Sequence, residues 1–155
     1  SFTAGITDPA GRNTPGVTGT LFDRTFGVDA RAGALMIAEF SRRLIGRDGT
    51  WGRIVGLTSG GSMGFPSEVT YGAAKAALEN YTMSAAMELG RRGVTANMIH
   101  PPITDSGWVN DAVREFAATA NDHFHVAEPA EVGRVIAWLC GDDARMITGN
   151  IIRMR

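Results

Sequence analysis

Tyr71 and Lys75 stand four residues apart, and both residue types are scarce in this chain. The 155 residues hold two tyrosines, Tyr71 and Tyr81, and a single lysine; the other fourteen basic residues are arginines. Accident would set the lysine four places after a tyrosine in about one or two of a hundred shuffles of this composition. A chain that uses arginine everywhere else points to a position needing a compact ammonium rather than a wide guanidinium fork. On a helix, residues i and i+4 share a face. A cation beside a phenol stabilises the phenolate, which makes tyrosine usable as a general acid or base near neutral pH. The plain alternative is a buried tyrosine beside a surface lysine, so the surrounding elements have to decide.

Residues 1–20 are rich in Gly, Thr and Pro without periodicity and read as loop. Residues 23–45 predict a helix whose inner stripe is Ala30, Ala34, Ile37, Ala38, Ser41, Leu44 and Ile45, ended by Gly46 and Gly49. Arg53 to Thr58 is a short apolar run suited to a buried parallel strand. Gly60, Gly61, Gly64 and Pro66 then interrupt regular structure. Residues 71–90 predict a helix with Ala74, Leu78, Tyr81, Ala85 and Leu89 inward, and Val94 to Ile99 a second strand. Two strands joined through one helix form a βαβ unit, expected to be right-handed. Residues 101–127 form an excursion with a short helix near 109–119. Pro129 opens a further helix, with Val132, Val135, Ile136 and Leu139 inward, and Ile147 to Ile152 supplies a last strand. The pattern is α/β with at least three parallel strands.

Composition narrows the partners. Net charge is −1, which gives no reason to expect nucleic acid or an acidic membrane surface. Arg42–Arg43 and Arg91–Arg92 read as solvated helix faces or ends. Cys140 is alone, which excludes an intrachain disulfide; a buried, inert thiol and a cytoplasmic location are expected. No stretch reaches the length of a membrane span, and Ser1 to Gly5 does not read as a signal peptide. His100, His123 and His125 lack metal-ligand spacing and read as ordinary loop residues, so no metal is expected. Met83, Met87 and Met98 read as core fillers, and Trp108 either closes over a substrate or packs the excursion onto the core.

Open α/β sheets bind ligands beyond the carboxyl ends of their strands. Thr58-Ser59-Gly60-Gly61 follows the first strand, His100 to Trp108 follows the second, and Tyr71 opens the helix between them. Arg53 to Gly60, Tyr71-Gly72-Ala73-Ala74-Lys75-Ala76-Ala77, Gly93 to Asn97 and Pro101 to Trp108 together resemble the short-chain dehydrogenase/reductase family, and within it the 3-oxoacyl-carrier-protein reductase-like members. Phe22 to Ala32 resembles the helix that carries the family's catalytic Asn, and Val132 to Leu139 with Ile147-Thr148-Gly149 resembles its last helix and strand. The likeness covers roughly residues 20–153.

The resemblance implies hydride transfer between NADP or NAD and a small carbonyl or alcohol. Tyr71 would protonate the carbonyl oxygen. Lys75 would stabilise the Tyr71 phenolate and bond the nicotinamide ribose. Ser59 would polarise the substrate oxygen. Pro101 to Ser106 would line the nicotinamide, with backbone near Thr104 and the Ser106 hydroxyl toward its carboxamide. Asp29 falls at the catalytic Asn position. The fold implied is the C-terminal portion of a Rossmann-like doubly wound parallel sheet. Residues 1–155 would form a single partial domain of this kind, with 1–20 loop-like and 101–127 the substrate-loop region.

Four departures from the family pattern stand out. No glycine-rich phosphate turn lies between a strand and a helix, and the chain opens about where the family's fourth strand would end. The first half of the sheet, with the adenosine and pyrophosphate sites, is therefore expected to be missing, and cofactor binding by this chain alone to be weak. Asp29 replaces Asn and cannot donate an amide hydrogen bond, although its backbone could still hold a relay water. Ser59 precedes Tyr71 by twelve residues where thirteen is common, which would select Thr58; the register of Arg53-Ile54-Val55 favours Ser59. Pro102 replaces a usual Gly and removes a backbone donor. The expected function is a nicotinamide-dependent oxidoreductase; the alternative is a truncated, inactive relative that serves as an oligomerisation or binding module. An exposed apolar first strand, together with helices 30–45 and 71–90, predicts a homo-oligomer, dimer or tetramer.

Overall fold

The computed structural model describes residues 6–7, 13–14, 17–60, 64–66, 68–121 and 123–155. In chain order these form β1 (Ile6–Thr7), β2 (Asn13–Thr14), α1 (Gly19–Thr25), a π-helical stretch (Phe26–Ala32), α2 (Gly33–Gly46), β3 (Gly52–Leu57), α3 (Val69–Leu89), β4 (Val94–His100), α4 (Asp111–Thr119), α5 (Pro129–Cys140) and β5 (Ile151–Arg153). The segment 1–20 is thus not all loop. β1 and β2 pair antiparallel, and helix begins at Gly19, where Thr18 Oγ1 accepts the Leu21 N–H at 3.2 Å. That cap moves the helix start four residues ahead of the predicted Asp23. Gly61 lies outside the described residues.

β3, β4 and β5 form a parallel sheet in that order, Gly52 opposite Val94 and Met98 opposite Ile151. β4 is the central strand, buried from Val94 to Ile99. Alternate residues of parallel strands face opposite sides, and helices cover both. On one side Ile54, Val94 and Ala96 pack with Leu44 of α2 and Ala85, Ala86 and Leu89 of α3. On the other, Val55 and Ile99 pack with Val132 and Leu139 of α5. The fold is α/β, as the sequence pattern predicts.

Several inward assignments need correction. Tyr81 is about half exposed, and Thr82 is the buried residue of α3 in its place. α3 crosses β3 at Gly56, where an added Cβ would stand 2.4 Å from Met98 Sδ and 3.6 Å from Thr82 Oγ1. Such a close approach admits a threonine and turns the phenol outward. Met87, Ala38 and Ile45 also face solvent, and Cys140, last in α5 beside the buried Leu139, is exposed rather than buried. Met98 is fully buried, as expected of a core filler.

The last strand is shorter than predicted, Ile151–Arg153, because side chains of the 147–150 turn and of β4 take the place of a ladder. Ala96 N–H donates to Thr148 Oγ1 at 3.0 Å, and Asn97 Nδ2 donates to the Ile147 carbonyl at 2.7 Å. Asn150 N–H returns a bond to Asn97 Oδ1 at 3.2 Å. Gly149, at φ 70°, allows the turn. The α3–β4 turn likewise requires glycine: Gly93 has φ 73°, and a Cβ there would stand 2.2 Å from the Thr50 carbonyl oxygen. Asn97→Ala leaves two backbone groups of that turn without partners beside the core. We expect a loss of about 2–4 kcal/mol, read from urea unfolding.

Candidate active site

The carboxyl ends of β3 and β4 open into a cleft of about 850 Å³. Ser59, Tyr71, Lys75, Pro101, Thr104 and Ser106 all line it, so six positions from three segments of the chain meet in one cleft. Pro102 lines it too, buried, its ring presented in place of a backbone donor. Aromatic side chains form much of the remaining rim: Phe65, Trp108 and Phe116.

Tyr71 and Lys75 lie on the first turns of α3, one face apart by a single turn. Lys75 Nζ stands 5.4 Å from the centroid of the Tyr71 ring. Phe65 flanks the same ring at 6.1 Å between centroids. Asp29 is not among the cleft walls. It projects from the π-helical stretch, an irregularity often found at functional sites, and binds Lys75 directly, Oδ1 to Nζ at 2.8 Å. Both side chains are withdrawn from water, at 13% and 18% exposure. An ammonium has three donors, so two remain beyond Asp29. That capacity suits a ribose diol. The nicotinamide end of a dinucleotide therefore fits the residues present.

Thr58 and Ser59 divide the ambiguity between them. Thr58 is 2% exposed; its N–H donates to the Ile99 carbonyl at 2.8 Å, and its hydroxyl donates to Glu79 Oε1. Ser59 is half-buried on the cleft wall. Neither Ser59 Oγ nor Tyr71 Oη enters a hydrogen bond among the described residues. Glu79 is a residue the sequence reading missed. Its signal was present: Tyr71, Lys75 and Glu79 follow one face at i, i+4 and i+8. His100, expected to be an ordinary loop residue, is instead the last residue of β4 and lines the cleft. From the end of β4 its Nε2 contacts the Gly60 carbonyl, tying the two loops together. Burial pushes the carboxyl of Glu68, which precedes α3, above its usual value.

The excursion is closed at its base by a bridge of Thr104 with Ala127 and stiffened by Arg114 Nη2 on Asp105 Oδ2 at 2.6 Å. Ser106 N–H is used by the Thr104 carbonyl, so its exposed hydroxyl is the group left for a ligand. Trp108 donates its indole N–H to the Thr104 carbonyl at 2.9 Å and stands at the cleft rim, partly exposed. His125 lies 3.6 Å from Glu131, whose carboxyl is held below its usual range first by the Glu128 N–H. Among the described residues no group of acidic, His and Cys side chains could hold a metal ion.

A family profile described as enoyl-(acyl carrier protein) reductase matches residues 2–154. The chain belongs to the short-chain dehydrogenase/reductase family. The uncharacterized oxidoreductase YjdA of Bacillus subtilis (strain 168) is 37% identical over 131 residues, covering 84% of this chain and 52% of the relative. The 3-oxoacyl-(acyl-carrier-protein) reductase FabG of Pseudomonas aeruginosa is 33% identical over 106 residues, covering 66% of this chain and 43% of the relative. The crystal structure of angucycline C-6 ketoreductase LanV with bound NADP superposes with a TM-score of 0.76 at 30% identity, covering 99% of this chain and 58% of LanV. This short-chain dehydrogenase/reductase chain thus spans about half the length of the curated relatives it matches. No helix of the described residues is long and apolar enough to cross a membrane.

The two neighbouring hydroxyls separate by experiment. Thr58→Val removes the donor that Glu79 holds and should cost about 1–2 kcal/mol of stability. Ser59→Ala should stay within about 0.5 kcal/mol. Thermal unfolding of both variants measures the contrast.

Proposed function

We propose that the cleft carries the acid/base chemistry of a nicotinamide-dependent oxidoreductase acting on a small carbonyl or alcohol. The observation that supports it is Tyr71 on the cleft wall, its hydroxyl in no hydrogen bond among the described residues, and Lys75 one turn away. The cofactor, NADP or NAD, supplies the hydride. Tyr71 Oη gives its proton to the carbonyl oxygen in reduction and takes it back from the alcohol in oxidation. Ser59 Oγ donates to the same oxygen and stabilises the charge that builds there. Lys75 stabilises the phenolate left on Tyr71 and offers its remaining donors to the ribose. Pro101 and Pro102 give a rigid apolar wall for the nicotinamide ring, and Thr104 and Ser106 offer polar contacts at its edge. Asp29 acts on Lys75. NADP bound to LanV supports the cofactor class for this chain.

Titration with NADPH and NADH, followed by cofactor fluorescence, tests the reading. Saturable binding of weak affinity is expected of this chain by itself. Absence of binding at millimolar cofactor turns the reading toward a binding or assembly module. With turnover established, Tyr71→Phe and Ser59→Ala should each lower kcat by about a hundredfold or more, measured with a carbonyl panel.

A homo-oligomer is part of the same proposal. Leu35 and Met36 of α2 and Tyr81 and Met87 of α3 are exposed apolar residues, Met87 at 84%. Among the described residues β3 pairs only with β4, which leaves an open strand edge. Multi-angle light scattering should report a mass above 16.5 kDa; a monodisperse monomer overturns it.

A further inference from the structure

The cleft's one lysine is held by an anion. Asp29 Oδ1 and Lys75 Nζ are 2.8 Å apart, and both side chains are more than four-fifths screened from water. A carboxylate in such a place is costly unless paired, so the contact is specific. Lys75 also faces the Tyr71 ring at 5.4 Å. One cation therefore serves two partners, a permanent carboxylate and a phenol that becomes anionic only when it acts. An amide at position 29 would hold Nζ by its oxygen without opposing the ammonium charge. A carboxylate holds it and offsets that charge.

We propose that Asp29 is a positioning residue that fixes Lys75 by a direct ion pair and, by partly neutralising it, sets the pH range in which Tyr71 works. The proposal rests on the reading of Tyr71 as acid/base and deepens it. Other titratable and charged groups face the same cleft: His100 from β4, His123 from the excursion, and Arg153 and Arg155 from the chain's last residues. Glu79, one turn beyond Lys75 on α3, is engaged by the Thr58 hydroxyl. Among the described residues only Asp29 makes an ion pair with Lys75. Removing its charge therefore changes the balance at Tyr71 in one direction. The phenolate becomes easier to form, and the base required for alcohol oxidation appears at lower pH.

The single lysine makes the pair directly measurable. N-hydroxysuccinimidyl acetate transfers its acetyl group to an uncharged amine, a C–N bond forming as the ester C–O bond breaks and the amine's proton leaving with N-hydroxysuccinimide, and mass spectrometry of the peptide containing residue 75 reads that side chain alone. Asp29→Asn should speed Lys75 acetylation several-fold at fixed pH, and Asp29→Glu should restore the slow rate. Equal rates in wild type and Asp29→Asn overturn the ion pair. In the cofactor-loaded protein, Asp29→Asn should lower the pH of half-maximal alcohol oxidation by roughly half a unit or more, with circular dichroism unchanged. A profile that does not move overturns the charge-setting role. A wild type without nicotinamide-dependent turnover overturns the proposed function instead, and the acetylation contrast still decides the pair.

Discussion

Every polar group on β4 must find a partner without water, because the strand is buried from Val94 to Ile99. The rest of the described fold follows from meeting that requirement. β3 and β5 satisfy its ladder from either side. Where β5 does not reach, Thr148 and the Asn97 side chain complete the bonding. Beyond Ile99 the strand meets the cleft, where its carbonyl accepts the Thr58 N–H and His100 contacts Gly60. The loop that presents Ser59 is thereby anchored at both flanks to the buried central strand.

The second organising element is α3, which approaches the sheet closely because its inner face carries small residues: Ala74, Thr82, Ala85 and Ala86. Close approach at Gly56 sets the helix axis, and the axis sets where its first turns reach. Tyr71 and Lys75 are therefore placed by packing several turns away from them. The π-helical stretch of the preceding helix brings Asp29 within ion-pair distance of Lys75. The extra residue per turn in such a stretch changes which side chain faces α3.

These two elements together produce a cleft lined by polar groups, among them Ser59, Tyr71, Lys75 and Ser106, and by the aromatic side chains of Phe65, Trp108 and Phe116. A small number of convergent donors in an apolar cleft orients a ligand while excluding water. Hydrogen bonds are stronger in that setting than in bulk solvent.

The class of fold and the proximity of Tyr71 to Lys75 were legible in the sequence. Apolar runs at strand length, helical stripes and glycine stops depend on local backbone geometry, and they located β3, α3, β4 and α5 within a few residues. Scarcity made Tyr71 and Lys75 visible, and four-residue spacing on a helix brought them to one face without tertiary help. Other features depended on neighbours distant in the chain. Tyr81 fits the inner stripe of α3 by period alone, yet the close crossing at Gly56 admits Thr82 and turns Tyr81 outward. Ile147 to Asn150 reads as strand by composition, yet β4's side chains capture it as a turn. Thr58 and Ser59 are near-equivalent in sequence, and only Glu79, twenty-one residues further along, separates the buried hydroxyl from the one on the cleft wall. Asp29 was visible as an odd residue at its position. That it forms an ion pair was decided by tertiary structure, because charge, burial and a 2.8 Å contact arise only when two distant helices pack.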